Sequence, residues 1–447
     1  MNDKPWLAHY DKGVPQTVEI PNVPLFHFLE ESARKYPNRA CTIFNGAVIS
    51  YKDMNARSDQ IAAALVELGV KKGDRVGIFM PNTPQFVMIY FGILKAGGVV
   101  VATNPLYTAP EIAHQASDAG IEYMFVMTNY YNTIKKAQPN TKIKKLIVTN
   151  LKEALSPIKQ VLFTLLREQK GGFRIEGGLK DGDVWLQDLI AKHKGASRPK
   201  LEVGPDDTAL FQYSGGTTGI SKGAVALHRN IVANTMQLKA WFVTSNDGQE
   251  VYLMAIPLFH VYGMVAGLAI AIASGASMVM IPNPRDLKDI LENISKYKTT
   301  IFPGVPAMYN GINNHPDVKA GKYDLSSIKA CISGSAPLLR ETKDQFEKLT
   351  GGKVFEGYGL SEAPTGTHGN PLLGVNKTGS IGMPLPNMEC RVISLDDGET
   401  DLPQGEIGEL LLHGPQVMKG YHNMPTETAN SLRPDKDGKT WLYTGDI

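Results

Sequence analysis

The sequence predicts an α/β protein with two mostly parallel sheets that helices cover on both faces, followed by a small β-barrel-like region. Between residues 75 and 148, apolar strand-like runs alternate with helix-like segments of ten or more residues, which is typical of βαβ units. A second series of strand-like runs lies between residues 208 and 333. From residue 379 to 421 the pattern changes to short strands separated by glycine and proline turns.

These changes of pattern divide the 447 residues into three regions, because a chain of this length is too long for one simple core. We expect a first α/β region over about 1–205 and a second over about 206–370 that carries the nucleotide and acid sites. The β-barrel-like region is expected over about 371–447.

The first region begins with helices predicted over 25–36 and 51–68, on either side of a strand at 40–44. The regular alternation that follows has predicted strands at 75–80, 99–102, 123–127 and 145–148, and predicted helices at 83–96 and from 108 to Gly120. Thr108 and Glu111 have the spacing of a capping box, which marks the start of that last helix.

Residues 151–183 interrupt the alternation. A helical stripe of apolar residues, with basic residues around it, precedes a glycine-rich loop; the stripe contains Leu151, Leu155, Ile158, Leu162 and Leu165. Two interpretations stay open: a surface helix packed on the core, and an interfacial helix in an insert that contacts a membrane.

The stretch FQYSGGTTGISKGA, residues 211–224, is the strongest functional signal in the sequence. Glycines let the backbone approach a phosphate, hydroxyl and N–H groups donate hydrogen bonds, and Lys222 supplies positive charge. Strands predicted at 208–213 and 224–227 hold both ends of this loop. A Walker A loop is excluded, because Lys222 precedes Gly223 and no helix follows. A flexible polar hairpin is the alternative.

His260 follows a strand predicted at 251–256 and lies at a corner beside Phe259, where a side chain can face a pocket. A packed core histidine is the alternative. The next residues, 261–281, are apolar enough to raise the question of a membrane span. Ser274-Gly275-Ala276 interrupts them, which leaves a helix of about 13 residues that is too short to span.

Three further groups of residues indicate a nucleotide site. After strands predicted at 299–302 and 328–333, with a helix at 306–313 between them, the small residues 334–337 would let a flat ring approach the backbone. In VFEGYGLSE, residues 354–362, Tyr358 offers a stacking face and Glu362 offers an oxygen ligand suited to Mg²⁺. Asp446 in the final WLYTGDI can accept hydrogen bonds from two ribose hydroxyls.

In this order, FQYSGGTTGISKGA, PLFHVYG, YGLSE and WLYTGDI resemble the motifs of the acyl-adenylate-forming, or AMP-binding, enzymes, which include acyl-CoA synthetases, luciferases and peptide-synthetase adenylation domains. Ser221 stands where many members have proline, and long-chain fatty acyl-CoA synthetases often lack that proline. The resemblance covers nearly the whole chain and implies an ATP-dependent ligase that joins a medium- or long-chain fatty acid to coenzyme A through an acyl-adenylate. It also implies Mg²⁺, and a small C-terminal domain absent from this sequence. The alternatives are an aryl or luciferase-like acid substrate and a non-catalytic acyl-adenylate-binding protein.

The resemblance also implies roles for individual residues. Lys222, His260 and Glu362 would be catalytic, and Glu362 would hold the metal. The implied nucleotide-binding residues are Tyr213, Ser214, Gly215, Gly216, Thr217, Thr218, Gly219, Lys222, Gly334, Ser335, Ala336, Pro337, Glu356, Gly357, Tyr358, Gly359, Ser361 and Asp446. The implied acid-binding residues are Phe259, His260, Gly263, Met264 and Gly334.

Composition indicates which partners and which cellular compartment to expect. A net charge of +2 gives no reason to expect a nucleic-acid partner. Three widely spaced cysteines and an N-terminus without a signal peptide predict a reduced, cytoplasmic protein. A peripheral contact with a membrane and a homodimer stay open.

Overall fold

Two large mixed sheets and one small antiparallel sheet form the framework of the molecule. The computed structural model describes residues 4–214 and 221–447. The strands are β1 Ala40–Phe44, β2 Ala47–Ser50, β3 Arg75–Phe79, β4 Val99–Ala102, β5 Tyr123–Met127, β6 Lys145–Thr149, β7 Val184–Trp185, β8 Thr208–Ser214, β9 Lys222–Leu227, β10 Val251–Met254, β11 Ser277–Met280, β12 Ile301–Gly304, β13 Ala330–Ser333, β14 Lys353–Leu360, β15 Ala363–Gly369, β16 Met383–Pro384, β17 Glu389–Ile393, β18 Glu409–His413, β19 Gly420–Tyr421, β20 Leu432–Pro434 and β21 Thr440–Tyr443.

The helices are α1 His27–Lys35, α2 Tyr51–Glu67, α3 Pro84–Lys95, α4 Ala109–Ala119, α5 Tyr131–Ala137, α6 Pro157–Leu166, α7 Leu186–Lys192, α8 His228–Trp241, α9 Ile270–Ala273, α10 Leu287–Tyr297, α11 Pro306–Asn314, α12 Pro316–Lys319, α13 Arg340–Thr350 and α14 Pro425–Ser431. A π-helical turn, Gly263–Ala269, leads directly into α9. Short 3₁₀ helices occupy Pro5–His9, Thr128–Tyr130, Gln138–Asn140 and Leu151–Ala154.

The first large sheet has the strand order β19-β9-β8-β4-β3-β5-β6-β7 and is parallel from β8 to β7. The second has the order β16-β15-β14-β13-β12-β10-β11-β1-β2 and is parallel from β14 to β1. Helix α3 is buried at every position, because its sequence is apolar on almost all sides. The predicted class, two helix-covered and mostly parallel sheets, is confirmed.

The residues predicted to form the β-barrel-like region contain the small sheet, with the antiparallel order β17-β18-β21-β20. Strand β19, from the same region, instead pairs with β9 at the edge of the first large sheet. The three-region division of the chain stays a prediction, but the sheets do not follow its boundary near residue 205. Strands β1 and β2 belong to the second sheet, whereas β8 and β9 belong to the first.

The segment predicted as one apolar stripe, residues 151–165, is two separate pieces. Leu151–Ala154 forms a 3₁₀ helix, and α6 begins only at Pro157, because proline at this position favours a new helix start. The prediction of a continuous stripe is therefore wrong. Within α6, Phe163 is the buried residue, and its ring packs edge-on against Phe173 at 5.3 Å.

The apolar stretch 261–281 forms the π-helical turn, α9 and strand β11, all inside the core. Across the described ranges 4–214 and 221–447, no helix has both the length and the apolar composition needed to cross a bilayer.

Candidate active site

The corner after β13 has the small-residue geometry that a flat ring requires. Gly334 is buried, and a Cβ atom there would lie 3.4 Å from the Tyr262 ring. The next three residues, through Pro337, are exposed, and Ser335 has a positive φ of 69°. A non-glycine residue rarely adopts that backbone conformation, and such outliers concentrate at functional sites.

Tyr358 and Asp446, predicted as the adenine and ribose contacts, lie together. The Tyr358 hydroxyl donates a hydrogen bond to the Asp446 carboxylate, 88 residues further along the chain. Burial, and then the nearby Asp446 charge, raise the pKa of Tyr358, so the hydroxyl remains a donor. A cavity of about 60 Å³ opens beside them, lined by His260, Gly334, Ser335, Gly357, Tyr358 and Gly359 among others.

Glu356, a predicted nucleotide contact, forms hydrogen bonds with the backbone of two loops. Its carboxylate accepts hydrogen bonds from the backbone N–H groups of Leu338, at 3.0 Å, and Gly379, at 2.7 Å. Its backbone carbonyl accepts another from Asn370. These bonds connect the Glu356 side chain to the small-residue corner and to the loop at Gly379, and a contact between Glu356 and a nucleotide stays a prediction.

The predicted phosphate-binding loop lies between the antiparallel strands β8 and β9, which pair Ser214 with Lys222. The predicted contacts Gly215, Gly216, Thr217, Thr218 and Gly219, and the side chain of Ser214, lie outside the described residues.

The Tyr213 side chain packs into the core on one face of the first sheet. It is buried in the core beside α4, and its hydroxyl donates to Asp118 at 2.5 Å. Strand alternation turns this side chain toward the core, and a contact between Tyr213 and a nucleotide stays a prediction.

Lys222 and Glu362 meet at one aromatic side chain that the sequence did not single out, Tyr421. The Lys222 ammonium lies 5.4 Å from the centre of the Tyr421 ring and pairs with the Glu427 carboxylate at 2.6 Å. The Tyr421 hydroxyl donates to Glu362 Oε1 at 2.7 Å. Nothing in the sequence spacing links these residues, because β19 reaches β9 from almost 200 positions away.

Glu362 suits a magnesium ion that arrives with a nucleotide. Its Oε1 is oriented by Tyr421, and the residue is partly exposed in the turn between β14 and β15, next to Ser361. In the described parts of the chain, no three His, Cys, Asp or Glu residues cluster closely enough to hold a metal by themselves. Mg²⁺ is commonly bound by one or two carboxylates together with phosphate oxygens and water, so a single oriented carboxylate fits this donor set.

His260 lies where the small nucleotide-side cavity meets a larger apolar one. The larger cavity, of about 500 Å³, is lined largely by apolar residues such as Phe259, Leu287, Val305 and Met308. His260, Tyr262 and Ser335 line both cavities. Desolvation lowers the pKa of His260, which favours a neutral ring at neutral pH.

Two predicted acid-binding residues support the site from behind rather than lining either cavity. Met264 is buried in the core. Gly263 is required by close packing, because a Cβ atom there would lie 2.3 Å from the carbonyl oxygen of Pro257. Gly263 thus lets the π-helical turn start directly behind the His260 corner.

The fold and these motifs define a class of enzyme. The family model described as AMP-binding enzyme matches residues 29–422, and the chain belongs to this family. A long-chain-fatty-acid–CoA ligase of Bacillus subtilis (strain 168) is 40% identical over 449 residues, which cover 100% of this chain and 78% of that protein. The ligase of the same name from Yersinia pestis is 34% identical, with coverages of 100% and 78%.

Solved structures agree on the fold. A long-chain-fatty-acid–CoA ligase from Archaeoglobus fulgidus superposes with a TM-score of 0.83 at 24% identity, covering 98% of this chain and 84% of the other. ATP-bound MatB from Rhodopseudomonas palustris gives a TM-score of 0.78 at 27% identity, with coverages of 95% and 76%.

Proposed function

We propose that this protein is an ATP-dependent ligase that joins long-chain fatty acids to coenzyme A. The observation that carries the proposal is the junction of the two cavities at His260, Tyr262 and Ser335. An apolar chain in the 500 Å³ cavity would hold its carboxylate at this junction, beside the corner that suits adenine. The names of the Bacillus and Yersinia relatives support the same substrate class.

In this reaction a carboxylate oxygen bonds to the α-phosphorus of ATP and pyrophosphate leaves. The thiol of coenzyme A then bonds to the acyl carbon and AMP leaves. The chain supplies mainly positioning and charge compensation, which suffice for phosphoryl chemistry of this kind. Bound Mg²⁺, held by Glu362, would offset negative charge on the phosphates.

Two of the chain's own groups have defined tasks. The Lys222 ammonium offsets phosphate charge at the end of the loop. His260 Nδ1 accepts the backbone N–H of Tyr262 at 3.2 Å, so the neutral ring carries its proton on Nε2. We propose that this N–H donates to the acid's carboxylate and orients it at the junction.

The test measures pyrophosphate release and acyl-CoA formation over a panel of straight-chain acids from four to eighteen carbons, with aryl acids as competitors. We expect turnover to favour the longer straight chains. Preference for an aryl acid would support the alternative substrate class. Binding of ATP without pyrophosphate release from any acid would support a non-catalytic protein.

We further propose that α6 rests on an anionic membrane surface that supplies the fatty acid. Its apolar face is turned to solvent: Ile158, Val161, Leu162, Leu165 and Leu166 are between 49% and 77% exposed. These five residues follow the spacing of one helical face. Such a face is costly in water and is typical of an interfacial helix.

Charge near α6 favours an anionic surface. Arg167 and Lys170, directly after the helix, are exposed, and neither forms an ion pair among the described residues. Basic groups next to an apolar face add electrostatic attraction to anionic lipids.

Co-sedimentation with anionic and with neutral liposomes tests this second proposal. We expect Leu165→Asp to reduce binding to anionic liposomes strongly. Thr164→Asp adds the same charge beside the apolar face and serves as the matched control, with a small effect. Equal loss in both variants, or no loss in either, would refute the role of the apolar face.

A further inference from the structure

Tyr421 lies between the two groups that would compensate nucleotide charge, and it contacts each with a different part of its side chain. Its ring lies under the Lys222 ammonium, 5.4 Å from ring centre to nitrogen. Its hydroxyl donates to Glu362 Oε1 at 2.7 Å. One half-buried side chain therefore fixes the separation of a cation and a carboxylate that come from different sheets.

The backbone around Tyr421 is held firmly. In the short pair β19 and β9, Tyr421 lies opposite Ala224, two residues after Lys222. The N–H of Tyr421 donates to Thr428 Oγ1 at 2.8 Å. Gly420, with φ of 146°, packs so closely on Thr428 that a Cβ atom would lie 2.6 Å from its methyl carbon. The position of the ring is therefore set by the backbone and not by a flexible loop.

The same segment also anchors Glu362 through its main chain. The N–H of Met418 donates to the Glu362 carbonyl at 2.7 Å, and the Tyr421 hydroxyl bonds to its side chain. Two hydrogen bonds from residues 418–421 thus fix both the backbone and the carboxylate orientation of Glu362.

We propose that Tyr421 is a positioning residue, whose hydroxyl orients Glu362 for a magnesium-bound nucleotide while its ring seats Lys222 for the phosphates. The inference rests on the proposed function, since it assigns Tyr421 to the same nucleotide site. The two parts of the Tyr421 side chain contribute differently to ATP binding. The hydroxyl acts on metal-dependent binding, and the ring acts on metal-independent binding.

Calorimetric titration with ATP, in the presence of Mg²⁺ or of a chelator, separates these contributions without measuring turnover. Tyr421→Phe removes the hydroxyl and keeps the ring. We expect the gain in ATP affinity on adding Mg²⁺ to fall about tenfold, as is usual when the partner of a metal ligand is lost. Its affinity for ATP without metal should match the unmodified protein.

Tyr421→Leu removes the ring as well. We expect it to weaken metal-free ATP binding about 2- to 5-fold in addition, the usual magnitude of a partly exposed cation–π contact. Tyr323→Phe, which removes a hydroxyl that lines neither cavity, is the matched control and should change neither affinity.

The pattern of losses decides between positioning and general support of the fold. A Tyr421→Phe variant that binds like the unmodified protein with and without Mg²⁺, or that loses both affinities equally, would overturn the inference. If Tyr421→Leu fails to fold, the Phe variant alone decides. If the unmodified protein bound ATP equally with and without Mg²⁺, the proposed function would fail first, and the inference with it.

Discussion

The ion pair between Lys222 and Glu427 predicts that the Glu427 carboxylate competes with a nucleotide phosphate for Lys222. Glu427 Oε2 lies 2.6 Å from the Lys222 ammonium, so the lysine that we propose to bind phosphate is already paired with a carboxylate. A nucleotide phosphate that pairs with Lys222 must displace the Glu427 carboxylate. We therefore expect Glu427→Gln to bind ATP more tightly than the unmodified protein.

The magnitude follows from the exposure of the pair. The Lys222 side chain is 21% exposed and that of Glu427 is 43% exposed, so water screens their attraction. Pairs of this kind contribute about 0.2–1 kcal/mol, which corresponds to a dissociation constant for ATP that falls about 1.4- to 5-fold. The difference should shrink at high salt, because exposed charges are screened.

The assay is calorimetric titration with ATP at low and high ionic strength, in a double-mutant cycle with Lys222→Met. If Glu427 acts through Lys222, Glu427→Gln should have no effect once the lysine is removed. Glu406→Gln removes the same charge from an exposed turn and controls for the overall field. Weaker ATP binding by Glu427→Gln would refute competition and show that Glu427 instead holds Lys222 in its binding position.

Three further outcomes follow from the structure. Glu362→Gln should keep metal-free ATP binding and lower Mg²⁺-dependent pyrophosphate exchange at least tenfold, and unchanged exchange would place the metal elsewhere. Gly263→Ala should lower the melting temperature, because its Cβ would lie 2.3 Å from a backbone oxygen and overpacking costs about 1–3 kcal/mol, whereas Gly204→Ala, with 3.9 Å to its nearest neighbour, should not. Burial lowers the pKa of His228 to about 4 and of His368 to about 3. Because the unfolded chain takes up these protons near pH 6.5, the free energy of unfolding has its full value above that pH and decreases as the pH falls toward 4. Each histidine contributes a slope of about 1.4 kcal/mol per pH unit. Urea unfolding at pH 7, 6 and 5 measures it, and an equal slope in His368→Gln would contradict the assignment.

Features that depend on neighbouring residues could be predicted from the sequence. The Thr108–Glu111 capping box is present, with the Thr108 N–H donating to the glutamate at 2.7 Å, and Gly120 ends α4 in a left-handed conformation. Strand β4 has the predicted bounds. These features are decided within one turn of helix or one run of apolar residues, so local pattern is sufficient.

Features that depend on distant partners could not be predicted from the sequence. Strand β2 was missed, and its partner β1 joins the second sheet by pairing with β11, more than 230 residues away. The segment 151–183 reads as a separable insert, yet Asp183 at its end is buried in the first sheet. That carboxylate accepts from Tyr131 at 2.7 Å and from the Leu146 N–H at 2.9 Å. Removing the whole segment would leave both donors without this acceptor, which is costly in a buried position.

The candidate site shows the same division between local and distant determinants. The motifs located Lys222, Tyr358, Glu362 and Asp446, because each motif carries its chemistry within a few residues. The contacts among them come from chain pairing that no motif contains. Tyr421 reaches Lys222 and Glu362 only because β19 adds to the edge of the first sheet.

The region after residue 371 therefore acts as a bridge between the two large sheets. Its strand β19 completes the first sheet beside Lys222, and the N–H of Met418 bonds to Glu362 at the end of a strand of the second. Asp446, after β21, meets Tyr358 of β14. The groups that we propose to act on one nucleotide thus come from both sheets, and this region holds them together. If the proposed roles hold, a substitution that loosens this region should weaken the contributions of Lys222, Glu362 and Asp446 to nucleotide binding together, even where the substituted residue does not touch the nucleotide.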